Sequence, residues 1–271
     1  MCIAFLAIDQ FADYPLVIAA NRDEAYARPT RPLGFWPEDP NILAGRDLLA
    51  GGTWLGLARS GRLALLTNYR EPAAAPGLVS RGVLVTDFLA GGASIADFGA
   101  RLLAERDRFA GYNLIFGHVG ELYYHGNRGP ARIQRLQPGI HGLSNHLLNT
   151  PWPKVERGKA AVADLVRRSD VLIPDLFGIL GDTSTVVERE LPDTGIDRET
   201  ERILSAIFIR GNGYGTRGST LVLADRRTAQ VVERTHEGDP LPRAVHRHEI
   251  VFEAGDPLPP IGGMAATDGG Y

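Results

Sequence analysis

The stretches Met1-Cys2-Ile3-Ala4-Phe5-Leu6-Ala7-Ile8 and Leu16-Val17-Ile18-Ala19-Ala20-Asn21-Arg22-Asp23-Glu24 decide the fold. Two short apolar runs, residues 2–8 and 16–21, flank a polar turn containing Asp13 and Pro15, which is the pattern of a β-hairpin. A turn centred near residues 11 and 12 sets Cys2 opposite Asn21. Four polar residues, Asn21-Arg22-Asp23-Glu24, then end the second strand beside the chain's only cysteine.

Working outward, residues 53–58 and 62–68 form a second hairpin around Ser60-Gly61, with Thr53 opposite Asn68. Between the hairpins lies a Pro- and Arg-rich segment, residues 28–52. It reads as one long loop anchored by Trp36 and bordering a site, because loops of that length inside a domain are usually functional. Helical periodicity is expected from residues 73–77 onward, over 83–89 and then through Ile95, Phe98, Leu102 and Leu103 with Ser94 as N-cap. Strands follow at 112–116 and 121–125, and a short extended piece ends at Leu143-Ser144-Asn145. A proline-opened helix is expected over 153–166, with further helices at 174–180 and 199–207. Residues 220–224 and 229–233 close the chain as a strand pair. The Gly- and Pro-rich segment 253–271 is expected to be a mobile tail, leaving 1–252 as a single domain. Strands first, helices in the middle and strands last describe an α+β domain of antiparallel sheets with helices on their faces.

Composition narrows the function. At 271 residues, 44% hydrophobic and 23% charged, the chain is an ordinary globular protein, which excludes global disorder. Lys+Arg 29 against Asp+Glu 32 leaves −3, so no field draws in nucleic acid or an anionic membrane. One cysteine makes neither an internal disulfide nor a cysteine-based zinc site. The opening apolar run is far short of the roughly 20 residues of a membrane span. It also has no basic residue before it and no cleavage site after it, so a cytoplasmic protein without integral membrane association is expected. Gly211-Asn212-Gly213-Tyr214-Gly215 lacks the Lys-Ser/Thr of a phosphate loop and reads as a turn. No G-x-S-x-G elbow and no H-E-x-x-H occur. His246 and His248 lie near the tail as solvated residues, and no metal is expected.

What remains is the start of the chain. Removal of Met1 leaves Cys2 with a thiol and a free α-amine, whose ordinary pKa values of about 8.5 and about 7.7–8.0 suit the amine as base for its own thiol. The other reading of Cys2 is a small buried strand residue, the usual state of a free cysteine.

The blocks Met1-Cys2-Ile3-Ala4-Phe5, Ala19-Ala20-Asn21-Arg22-Asp23-Glu24, Gly51-Gly52-Thr53-Trp54-Leu55-Gly56 and Leu66-Thr67-Asn68-Tyr69-Arg70 closely resemble the NRDE family. This is also called the transport and Golgi organisation protein 2 family. The match continues at Arg28-Pro29, Gly142-Leu143-Ser144-Asn145, Thr150-Pro151-Trp152-Pro153-Lys154-Val155 and Tyr214-Gly215-Thr216-Arg217. The resemblance implies the four-layer αββα sandwich of N-terminal-nucleophile hydrolases, such as choloylglycine hydrolases and penicillin V acylases. By motif position it implies Cys2 as nucleophile, Asp23 beside the α-amine, Asn68 and Asn145 as oxyanion donor and amine orienter, and Arg217 as a late supporting arginine. Asn21, Arg22, Trp54 and Tyr69 are the candidate substrate-binding residues. Where those acylases carry Arg-Asn-x-Asp, this chain has Ala20-Asn21-Arg22-Asp23, with the arginine moved along the strand by two residues, about 7 Å.

Two functions follow from the resemblance. One is hydrolysis of a small non-peptide amide with no cofactor. The other is a carrier of haem or an amphipathic lipid in the same pocket; no Cys-x-x-Cys-His occurs, and His118, His125, His141 and His146 offer no distinguished iron ligand. In either case the partner is a small molecule.

Overall fold

The computed structural model describes residues 2–71, 78–168 and 173–253. Two antiparallel sheets stack face to face. The first is six-stranded and is built on the opening hairpin, β1 (Cys2–Ile8) and β2 (Leu16–Ala25). The second is seven-stranded and begins with β3 (Thr30–Phe35), β4 (Ile42–Asp47), β5 (Leu55–Ala58) and β6 (Arg62–Asn68). Helices α1 (Gly82–Ala90) and α2 (Ile95–Ala104) then cover its outer face. The chain returns to that sheet with β7 (Tyr112–His118), β8 (Glu121–Gly126) and β9 (Gln134–Arg135), and crosses to the first with β10 (Gly139–Leu143). Helices α3 (Pro153–Arg168) and α4 (Ile173–Leu180) cover the first sheet, followed by the short α5 (Arg198–Ile203). Strands β11 (Tyr214–Ala224), β12 (Thr228–Thr235) and β13 (Ala244–Val251) complete it in the order β10-β1-β2-β11-β12-β13. The layers are therefore helix, sheet, sheet, helix.

Alternation of side chains explains why the inner strands are apolar throughout. Ala4, Leu6, Ile18 and Ala20 enter the core between the sheets with Leu55, Leu57, Leu63 and Leu65. Ile3, Phe5, Val17 and Ala19 point the other way, onto Val155, Val162 and Leu176 of α3 and α4. A Cβ on Gly158 would stand 2.0 Å from the Phe5 ring, so only glycine lets α3 close on β1 at that point. On the far side Phe88, Phe98 and Phe116 pack with ring centroids 4.8–5.4 Å apart. Ser94 accepts from the Asp97 N–H as the N-cap of α2.

Several expectations change. Residues 28–52 are not one loop but contain β3 and β4; Pro32 and a register shift between Arg31 and Gly34 hide the alternation. Trp36 does anchor them, buried with its Nε1 donating to the Ala44 carbonyl at 3.2 Å. The first hairpin is offset by one: Cys2 pairs with Arg22 and Ile3 with Asn21. Asp9 takes the left-handed conformation (φ 54°) and closes the turn onto the Pro15 carbonyl at 2.8 Å, which absorbs the extra residue. In the second hairpin Leu55 pairs with Leu65, so Thr53 does not face Asn68, which pairs instead with Tyr112 of β7. His246 and His248 belong to an edge strand, β13, whose largely exposed residues give no apolar signal. The helix expected over 199–207 ends at Ile203. The helix start at 73–77 and the tail beyond Glu253 lie outside the described residues.

Candidate active site

Cys2 opens β1, half-buried at the edge of the inter-sheet core, and its cross-strand partner is Arg22. Directly opposed residues share a sheet face, so the guanidinium comes to the thiol's side. The two-residue displacement of the arginine in Ala20-Asn21-Arg22-Asp23 thus brings the charge opposite Cys2. Arg22 is buried and lies over the Trp54 ring, 4.3 Å from its centroid. That ring fits because a Cβ on Gly45 would stand 2.5 Å from it.

Cys2, Arg22, Asp23, Trp54 and Asn68 line one cavity of about 260 Å³. Its rim comes from the segment after β2: Arg28 donates to Asp47 at 2.8 Å, and Ala50 and Gly52 complete the wall. The expectation that residues 28–52 border the site is met. Arg22 Nη2 lies 3.5 Å from Glu24 and 3.9 Å from Asp47. Burial works against the Asp47 carboxylate, but its hydrogen bonds from Arg28 and the Ala50 and Leu49 N–H groups outweigh this and hold its pKa below the ordinary value.

Burial pushes the Cys2 thiol above its ordinary pKa, with Asp23 adding to the rise and Arg22 opposing it. Asp23 faces the helical layer, where its carboxylate accepts from Thr216 Oγ1 at 2.7 Å and its carbonyl from the Tyr214 hydroxyl at 3.1 Å. Burial raises its pKa as well. Beneath it lies Lys154, whose Nζ donates to the Leu204 carbonyl at 2.9 Å; burial, reinforced by Arg70, brings it down to about 7. Arg70 in turn makes a buried ion pair with Glu201 and stands over the Trp152 ring at 4.8 Å.

The asparagines form a second layer. Asn145 Nδ2 donates to the Asn68 carbonyl at 2.9 Å, while the Asn145 carbonyl accepts from the Arg70 N–H at 2.7 Å. Ser144 Oγ donates to the Cys2 carbonyl at 3.2 Å, linking this layer to the start of β1. Asn145 is therefore joined to the cavity through Asn68 and does not line it.

Three candidates lie elsewhere. Asn21 is a structural tie: its amide donates to the Leu180 and Ile207 carbonyls at 2.8 and 3.0 Å, and its oxygen accepts from Ser219 at 2.7 Å. Tyr69 packs on the His146 ring, centroids 5.0 Å apart, away from the cavity wall. Arg217 lines the neighbouring cavity instead, with Nη1 donating to the Arg28 carbonyl. The cause is a β-bulge: Thr216 pairs with Asp23 and Gly218 with Arg22, so Arg217 is the extra residue and is turned out of line.

Sequence reasoning missed Lys154, Arg70, Glu201 and Glu233. Lys154 had a readable signal, since it shares the buried α3 face of Val155, Gly158, Val162 and Leu165. Glu233 sits on an apolar strand, and its carboxylate accepts from the Leu33 N–H at 2.8 Å and the Thr220 hydroxyl at 3.4 Å. Burial pushes it up to about 7. A carboxyl raised in the folded state gives up stability as pH climbs from its unfolded value, about 4.3, to its folded one. Glu233→Gln keeps an acceptor for Leu33 without the charge. Its melting temperature relative to the parent is expected to rise by about 2–8 °C between pH 5 and pH 8, the shift for roughly 1–2 kcal/mol. A pH-independent difference in thermal melts would refute this.

No helix among the described residues is long and apolar enough to cross a membrane, and none of their acidic, His or Cys side chains group as a metal site. A family model described as Transport and Golgi organisation 2 matches residues 1–238. The chain is 38% identical over 249 residues to the Transport and Golgi organization protein 2 homolog of Homo sapiens, covering 83% of this chain and 89% of that one. Against the Drosophila melanogaster Transport and Golgi organization protein 2 it is 27% identical over 271 residues, covering 88% and 93%. Among solved structures, a mutant conjugated bile acid hydrolase from Clostridium perfringens superposes with a TM-score of 0.54 at 8% identity, covering 92% of each chain. That likeness is one of fold, the N-terminal-nucleophile hydrolase sandwich. The chain belongs to the Transport and Golgi organisation 2 family.

Proposed function

We propose that this protein hydrolyses a small non-peptide amide, with Cys2 as the nucleophile once Met1 is removed. The observation that carries the reading is Cys2 at the wall of a 260 Å³ cavity, with Arg22 directly across the strand pair and Asp23 beside it. The α-amine takes the thiol proton as sulfur attacks the amide carbon, and the carbonyl electron pair moves onto oxygen. Collapse of that intermediate breaks the C–N bond; the leaving amine takes the proton from the α-ammonium, and water then hydrolyses the thioester. Thiol, amine and water supply every atom, so the reaction requires no cofactor.

Asn68, which lines the same cavity, donates to the oxyanion, a contribution of roughly 2.7–4 kcal/mol per donor. Asn145 acts through it by holding its carbonyl, and Asp23 supports the ammonium. Arg22 and Trp54 form the wall against which substrate lies. Arg217, one cavity away, has no part in this step.

The test is intact mass after reaction with activated small amides and thioesters. One acyl group per chain, mapped to Cys2 and absent from Cys2→Ala, is the expected result. Absence of any adduct, together with saturable binding of haem or a fatty acyl amphiphile, would replace this reading with that of a carrier using the same pocket.

A further inference from the structure

A second cavity, of about 290 Å³, lies on the other side of Arg22 and Trp54 from Cys2. Its walls come from β2, β3, β11 and β12, and Arg22, Arg217, Gly218, Glu233 and His236 all line it. We propose that this cavity is a binding site for an oxyanion, a carboxylate or phosphate group of a soluble ligand, held between the guanidinium groups of Arg22 and Arg217.

Unbalanced positive charge supports the assignment. Arg22 is 6% exposed, yet its Nη1 has no hydrogen-bond partner, and its nearest carboxylates stand at 3.5 and 3.9 Å. A buried guanidinium N–H without an acceptor is costly, and a ligand oxygen is the group that removes the cost. Arg217 spends Nη1 on the Arg28 carbonyl and the Thr30 hydroxyl, and among the described residues no carboxylate lies within 4.0 Å of it. Burial and then the facing charge of Arg22 pull Arg217 below its ordinary pKa, with Glu24 only partly opposing them.

The acidic groups of the cavity do not fill that role. Glu237 is taken by Arg243 in an ion pair. Glu233 is engaged by Leu33 and Thr220 and is pushed towards its neutral form. His236 has both ring nitrogens occupied, by the Asp239 carbonyl at 3.0 Å and Ser219 Oγ at 3.1 Å, and burial keeps its pKa low. Two forked donors around one vacant volume match the geometry of a carboxylate or phosphate. The inference does not depend on the chemistry at Cys2.

Inorganic phosphate and acetate are titrated separately into the ¹⁵N-labelled full chain, with ionic strength held constant by chloride. Saturable shifts of the Arg22, Arg217 and Gly218 amides are expected, with the tighter anion identifying a phosphoryl or a carboxyl ligand. Affinity is expected to fall at least about tenfold, the loss of one charge-assisted hydrogen bond, in Arg217→Gln. Because Arg217 also ties β11 to the Arg28 carbonyl, Gly218→Val gives an independent arm. A Cβ there stands 3.8 Å from the Glu233 carboxylate and 4.0 Å from the Arg234 carbonyl, ordinary contacts, so the added bulk of valine on this cavity wall is expected to abolish binding. Arg101→Gln, on the outer helical layer, is expected to bind as the parent does. Shifts linear in anion concentration, or unchanged affinity in both cavity variants, would overturn the assignment.

Discussion

A chain that retains Met1 is expected to lose at least about 10²–10⁴-fold of its rate of Cys2 acylation, the contribution of a positioned general base. The thiol remains in place, but the nitrogen that would accept its proton is locked in a peptide bond. The loss is expected to be severe here because burial holds the Cys2 thiol above its ordinary pKa, so little thiolate forms without help. Single-turnover acylation is compared for the processed chain and for chain made with the methionine aminopeptidase inhibited. Intact mass verifies each form. Equal rates would reject the N-terminal-nucleophile mechanism while leaving the fold assignment intact.

The largest effect on stability is expected from Glu201→Ala. Glu201 is 1% exposed and is the ion-pair partner of Arg70, itself 8% exposed with Nε and Nη2 already unpartnered. Removing the carboxylate leaves a buried guanidinium without compensation, a loss of about 3–5 kcal/mol. For a domain of this size that lowers the melting temperature by about 6–20 °C. Thr194 also loses its acceptor. The double variant Arg70→Met/Glu201→Leu removes both charges and is expected to recover most of the loss, so the double-mutant cycle reads the coupling directly. Additive losses would show that the pair is not a unit.

How much of this was legible in sequence depends on distance along the chain. The opening hairpin was readable because the β1 and β2 residues are buried on both faces and so form unbroken apolar runs. Its register was not, because one left-handed residue, Asp9, lengthens the turn. A shift of one residue exchanges sheet faces, so Asn21 turned to the helices and Arg22 to the thiol. Strands β3 and β4 were hidden by Pro32 and a bulge, and β13 by its exposure.

Within the site, the family resemblance implies Cys2, Asp23, Trp54 and Asn68, and the structure gathers them at one cavity. Lys154 stands out on the buried face of α3, but its meeting with the other charges is not legible because they come from unrelated elements: Arg70 after β6 and Glu201 from α5. No local pattern relates residues that meet only when the helical layer closes on the sheet. Arg217 had the right motif and the wrong neighbourhood, since a bulge of a single residue redirects a side chain in a way that spacing does not encode.

The stacked pair Arg22 and Trp54 is a party wall: one guanidinium and one indole face two separate chambers. Any occupant that tilts the indole reshapes both rooms at once. Thermodynamic linkage then fixes the rest: whatever factor a guest in one chamber applies to affinity in the other is returned unchanged in the opposite direction.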